Sequence, residues 1–245
     1  MAPLAAKGPV LVHFFDFSQL NSVRTLPYVN EWFHRYRDRD LTVIGVQAPR
    51  FGFGADPEVV QAGLARLGVE FPVMIDESRA LWHMYGCEGW PSLFLWGRGG
   101  LLKWFQFGEG EYRSTEQAIQ EQLRGPDDTV EFPEPMEPVR ATDVEGIEVI
   151  APGAELIPVE GRPWTRTQDG PVFDVEYEGG GIYTTATGQG QLMLTLDGEP
   201  LPPVAVDGAA LYTLAEHDRH GAHRIEIALE GEPEIWSVSF SPSTS

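Results

Sequence analysis

Two hydrophobic rhythms alternate along the first half of the chain. "PVLVHFFDF", from Pro9, is a continuous apolar run, as expected of a strand covered on both faces. From Ser22 to Asp38, apolar residues at Val23, Leu26, Val29, Phe33 and Tyr36 follow near-helical spacing. "LTVIGVQAP" predicts a second buried strand. "DPEVVQAGLARLG" predicts a helix with Asp56 as N-cap, Pro57 in its first position and Gly68 as its stop. "FPVMID" is a short strand and "ESRALWHMYG" a short helix ending at Gly86. "PSLFLW" and "LLKWFQFG" are strands joined by the turn "GRGG". "STEQAIQEQLRG" closes the series as a helix, with Ser114 as N-cap and Gln117 completing a capping box. Such alternation predicts helices on both faces of a mainly parallel sheet, with an antiparallel hairpin near its end.

The pattern then breaks. Residues 126–145 hold Pro126, Pro133, Pro135 and Pro138 among acids, which neither helix nor sheet accepts, so this stretch reads as a linker free to pack against the first domain. Beyond it the period becomes two. Leu192, Leu194 and Leu196 share one face, as do Ile225, Ile227 and Leu229, and Trp236, Val238 and Phe240. Short alternating strands with glycine-rich turns predict an antiparallel, jelly-roll-like β-sandwich over 146–245, after an α/β domain over 1–125.

Composition narrows the partners. The 245 residues carry 37 acidic and 17 basic side chains, a net charge of −20. Only Lys7 and Lys103 are lysines. Phosphate backbones and anionic lipid would repel such a chain, which argues against nucleic acid and membrane surfaces as partners. The N-terminus lacks a signal-peptide apolar stretch and no run reaches membrane-spanning length, so the chain reads as cytoplasmic. Cys87 is the one cysteine, which rules out an intramolecular disulfide and a cysteine-based zinc site.

The segment "FSQLNSVRTLPY", Phe17 to Tyr28, lies between a buried strand and a helix. It resembles the helix start of the TlpA/DipZ-type thioredoxin-like thiol-disulfide oxidoreductases, which reads roughly "YSCxNCLRTLPY". "VIGV" at Val43–Val46, "FPV" at Phe71–Val73, Trp90–Pro91 and "FGEGEYRSTE" at Phe107–Glu116 extend the likeness from Gly8 to Arg124. The resemblance implies a thioredoxin-like fold, a kinking proline at Pro27 and a cis bond at Trp90–Pro91. The family's two cysteines fall on Gln19 and Ser22, its buried acid on His13, and its "HTPEF" segment on "QAPRF", which changes His and Glu to Gln47 and Arg50. Dithiol exchange needs a thiolate stabilised at a helix N-terminus, and neither an amide nor an unassisted hydroxyl supplies one. The expected reading is a redox-inactive domain, with Ser18, Asn21 and Ser22 as helix caps and a peptide groove at Gln19, Ser22, Trp90 and Pro91 for a protein or peptide partner.

Three other features carry candidate chemistry. Cys87 would serve a divergent oxidoreductase or peroxidase, though a lone cysteine is more often a small apolar core residue. His217, His220 and His223, with Glu216 and Asp218, have loose metal-ligand spacing and read as solvated turn residues, so neither metal nor cofactor is expected. Trp82, Trp90, Trp96, Trp104 and Phe105 read mostly as core, with Trp96 in place of a family acid. The second half, Val172 to Phe240, resembles the carbohydrate-binding-module-like sandwich that follows the thioredoxin-like domain in DipZ-type proteins. That likeness makes a glycan-binding module a further alternative, with Trp164, Tyr183 and Tyr212 as candidate platforms.

Overall fold

The computed structural model describes residues 3–124, 130–167 and 170–244. The start of the expected linker, 126–129, lies outside the described residues. The chain divides into two compact units, Met1–Val139 and Arg140–Ser245.

Unit 1 contains β1 (Val10–Phe15), α1 (Leu20–Tyr36), β2 (Thr42–Gln47), α2 (Pro57–Arg66), β3 (Val73–Ile75), α3 (Ala80–Met84), β4 (Ser92–Trp96), β5 (Leu102–Phe107) and α4 (Tyr112–Arg124). Its five-stranded sheet runs β3-β2-β1-β4-β5. β1, β2 and β3 are parallel, while β4 and β5 are antiparallel to their neighbours. This is the thioredoxin-like α/β fold. β1 is the central strand and every one of its residues is buried, which is why its sequence is a continuous apolar run. Asp56 caps α2, accepting from the N–H groups of Glu58 and Val59, with Pro57 following.

Several local expectations fail for identifiable reasons. α4 starts at Tyr112, so Ser114 is not its N-cap; Glu111 precedes the helix with φ 51°, and the Ser114 hydroxyl donates back to Glu111. α1 starts at Leu20 and is capped by Gln19, not by Ser18, Asn21 or Ser22. Phe105 is 52% exposed because β5 is an edge strand, and it packs beside Phe107 rather than in the core.

Residues 131–139 lie on unit 1 and are held by side chains from α1 and α4. Glu116, only 1% exposed, accepts from Trp32 Nε1 (3.1 Å), Tyr36 Oη (2.6 Å), Arg35 (3.1 Å) and the Met136 amide (2.7 Å). Gln120 donates to Tyr36 Oη and to the Pro133 carbonyl, and the Val139 amide donates to Tyr28 Oη. The strap covers these polar side chains and takes part in their hydrogen bonding.

Unit 2 is all-β: β6 (Val149–Ile150), β7 (Phe173–Thr187), β8 (Gln189–Leu196), β9 (Glu199–Pro200), β10 (Val204–Asp207), β11 (Ala210–Gly231), β12 (Glu234–Ser241) and β13 (Ser243–Thr244). β7 to β12 form one antiparallel sheet in the order β10-β8-β11-β7-β12, with β9 beside β8, and β13 pairs with β6. Among the described residues unit 2 has no α-helix, and the apolar side chains of the sheet are buried against one another. Leu192, Leu194, Ile225 and Ile227 share a core with Ile182, Tyr212, Leu214 and Val238. The long strands β7 and β11 run through this one continuous antiparallel sheet.

Two sequence expectations change in unit 2. "EHDRHGAH" is not a turn but the middle of β11, with a register shift between Glu216 and Gly221 that places 217–220 opposite Gly180. Trp236 does not share the core face with Val238 and Phe240. A shift between Ile235 and Ser237 sends Ile235 inward, and Trp236 Nε1 instead donates to Thr187 Oγ1.

Candidate functional site

The site forms where β1 ends and α1 begins. Gln19 is extended (φ −98°, ψ 131°), and its side-chain Oε1 accepts from the Ser22 amide at 2.7 Å. The positive end of the helix dipole, which would stabilise a thiolate, is thus already occupied by an amide oxygen of the chain itself. Ser22 is fully buried, and its Oγ accepts from the Asp16 amide at 3.2 Å. Its hydroxyl serves the loop, and among the described residues no base lies among its partners.

Asp16 organises this loop, a role that sequence reasoning missed. It is 1% exposed and accepts from the Ser18 amide (2.8 Å), Ser18 Oγ (2.7 Å) and the Arg50 amide (2.7 Å). The hint was an acid directly after an apolar strand and two residues before a serine, the spacing of an Asx turn. Gln47, fully buried, accepts from the Phe17 amide at 3.0 Å and donates to the Gly54 carbonyl at 3.4 Å. α2 closes over the same loop through Gly63, where an added Cβ would lie 2.5 Å from the Phe17 ring. Of the altered "QAPRF" segment, the Gln47 side chain thus holds the loop backbone directly, whereas Arg50 contributes its main-chain amide.

Across the site, Trp90–Pro91 is a cis peptide. The Trp90 indole donates to the Ala48 carbonyl at 2.8 Å and stacks on Trp82, with ring centroids 5.0 Å apart. Gln19 and Trp90 are half-buried, whereas Ser22 and Pro91 are buried. Among the described residues, the Trp90 backbone N–H and C=O make no hydrogen bond.

His13 is fully buried on β1 between Gly45 and Leu93, stacked on Phe15 at 4.9 Å. Among the described residues neither ring nitrogen has a partner, and burial lowers its pKa to about 3, so it is a neutral core ring that takes up no proton near neutrality. Cys87 is buried beside Phe14 and Phe94, and burial pushes its thiol up to about 11 against the opposing hydrogen bond of Ser92. At pH 7 only about one molecule in 10⁴ would carry the thiolate.

In unit 2, the histidines are drawn into aromatic and hydrogen-bonded contacts. The His217 and His223 rings stack at 3.8 Å, Tyr177 Oη lies 2.8 Å from His217 Nε2, and His223 Nδ1 lies 2.8 Å from Asp197. His220 bonds Ser243. Tyr183 and Tyr212 are 8% and 9% exposed, so neither is a platform, and Trp164 packs on Phe173.

No family model matches the chain. Protein DipZ of Mycobacterium bovis is 32% identical over 174 residues, covering 71% of this chain and 23% of that protein. The match is longer than unit 1, so the likeness continues into unit 2. Thiol-disulfide oxidoreductase YkuV of Bacillus subtilis is 28% identical over 116 residues, covering 47% of this chain and 78% of YkuV. A thiol-disulfide isomerase structure from Corynebacterium glutamicum aligns with 50% of this chain and 85% of its own at 22% identity and a TM-score of 0.45. No described helix is long and apolar enough to cross a membrane. Unit 1 has the thioredoxin-like strand order, and the chain is similar in sequence to DipZ and to the thiol-disulfide oxidoreductase YkuV, with a single cysteine, Cys87, in its whole sequence.

Proposed function

We propose that this chain is a redox-inactive thioredoxin-like protein that acts by holding a protein or peptide partner at the start of α1 and the Trp90–Pro91 turn. The observation that carries this reading is the Gln19 side chain at the helix N-terminus, bonded to the Ser22 amide. Thiol-disulfide exchange, the activity in the name of YkuV, requires a thiolate at an accessible position. Here the helix start offers an amide and a buried hydroxyl, and the lone thiol is buried and protonated. The backbone groups of Trp90 remain available for pairing with an extended segment, the form of recognition in which main-chain hydrogen bonds give affinity.

The test is turnover of insulin disulfides with a dithiol reductant, together with peroxide consumption, for the wild type and Cys87→Ser. Both proteins are expected to match the protein-free blank. Thiol-dependent turnover in the wild type that disappears in Cys87→Ser would establish an enzyme and defeat the reading.

A further inference from the structure

β7 is covered unevenly. β12 pairs with it only from Gly181 to Thr187. From Phe173 to Gly179, β7 pairs on one side with β11, and no described strand pairs with the other, although Ser241 and Pro242 pass close to Gly179 and Gly180 at its end. Where β12 would continue, the chain instead turns away at Pro242 into the pairing of β13 with β6. The segment 151–155 arches between that pairing and the bridge of Leu156 to Val238.

The residues of the arch are small. Ala151, Pro152, Gly153 and Ala154, with Leu156, face Val175–Glu178, Ala222 and Phe240 across a cleft of about 550 Å³. An added Cβ at Gly153 would meet only Phe240, at 3.9 Å, so the space is left open by the absence of side chains. The floor is apolar: Leu156, Val175, Tyr177 and Phe240. Glu176 and Glu178 are exposed at its rim.

The nearby positive charges are already engaged. Arg224, cross-strand from Glu176, is bonded through Nε and NH2 to Asp174 at 2.7 and 2.5 Å. His220 lies 3.8 Å from Glu178 and bonds Ser243. Glu155 of the arch accepts from Ser239. The rim therefore carries net negative charge over an apolar floor, beside a strand edge with unused backbone groups.

We propose that this cleft binds an extended polypeptide segment whose side chains alternate apolar and basic, added as a strand to the open edge of β7. Alternate side chains of a strand point to opposite faces. One set enters the floor of Val175, Tyr177 and Phe240 while the other meets Glu176 and Glu178. The four β7 residues that line the cleft, Val175–Glu178, span about 13 Å at ~3.3 Å per residue, enough for a segment of comparable length. Exposed edges of this kind are templates for strand addition.

The experiment is a fluorescence-anisotropy titration of the full chain with a labelled peptide alternating valine and lysine. Saturable binding is expected, at least about tenfold tighter than for the same peptide with glutamate in place of lysine. Gly153→Leu, which leaves all charges unchanged, should weaken binding at least about tenfold by filling the cleft. Glu176→Gln combined with Glu178→Gln should weaken it by a smaller factor. Two further peptides, N-methylated on alternate amides in one register or the other, test backbone pairing, since at least one must lose binding. Absence of saturation, equal affinity for Gly153→Leu, or retained binding by both N-methylated peptides would overturn the proposal. If circular dichroism shows Gly153→Leu unfolded, the glutamine double variant and the methylated peptides decide the matter.

Discussion

Replacing Glu116 by alanine is expected to lower the stability of unit 1 by about 3–5 kcal/mol, the cost of removing one partner from a buried ionic network. The carboxylate holds four donors from two elements: Trp32, Arg35 and Tyr36 on α1, and the amide of Met136 on the strap. Its loss leaves the Trp32 indole N–H and the Met136 amide facing nothing, each a desolvated donor costing about 1–3 kcal/mol. Glu116→Gln should cost less, because an amide oxygen still accepts from one donor while its NH2 group faces others. Urea unfolding followed by tryptophan fluorescence measures the loss. Limited proteolysis between residues 131 and 139 should accelerate in the alanine variant, since the strap is tied to that carboxylate. A variant within about 1 kcal/mol of wild type would show that the network contributes little to folding.

Replacing His13 by leucine is expected to stabilise the protein, and by more at lower pH. The imidazole is buried with two unpartnered nitrogens, and an apolar group of similar size removes that penalty, for a gain of about 1–2 kcal/mol at pH 7. The pH dependence follows from the lowered pKa. The unfolded chain takes up a proton at His13 near pH 6.5, whereas the folded chain resists until about pH 3. The unfolded state thus binds more protons through this window, so His13 makes stability fall as pH falls from about 6.5 and level off near 3. At about 1.4 kcal/mol per pH unit, the gap between His13→Leu and wild type should widen by roughly 2 kcal/mol between pH 7 and pH 5. Denaturant midpoints at the two pH values measure it, and a gap that does not change with pH would mean that His13 reaches solvent in the folded state.

What the sequence conveys depends on how local each cause is. The buried run of β1 and the Asp56–Pro57 start of α2 are set by residues within one turn or strand, and both are legible. The Ser114 cap is misread because a cap depends on backbone angles, and the positive φ of Glu111 moves the start of α4 upstream. The burial of Glu116 could not be read at all. On an amphipathic helix an acid suggests solvent, and only the return of residues 131–139 covers it. The histidines of "EHDRHGAH" look like a turn because the residues that carry them into β11, Glu216 and Gly221 to His223, pair with β7, about forty residues earlier in the chain. In the candidate site, the replacement of sulfur by Gln19 and Ser22 is plain from residue identities. That the glutamine closes the helix start, and that Asp16 holds the loop, depends on side-chain geometry and distant partners.

The unequal match between β7 and β11 has a consequence for how this domain can vary. Opposite Gly180 stand the residues 217–220, an excess of chain on one strand that the sheet already accommodates. An insertion or deletion elsewhere in β11 would turn its inward set of leucines and isoleucines toward water, because the side-chain period is two. The stretch around Gly180 has the most slack, with a second, one-residue shift between Thr213 and Ala215. Changes of length among homologous chains should therefore collect there, and the spacing of Tyr212 and Leu214 from their partners, like that of Ile225 and Ile227, should be preserved on either side.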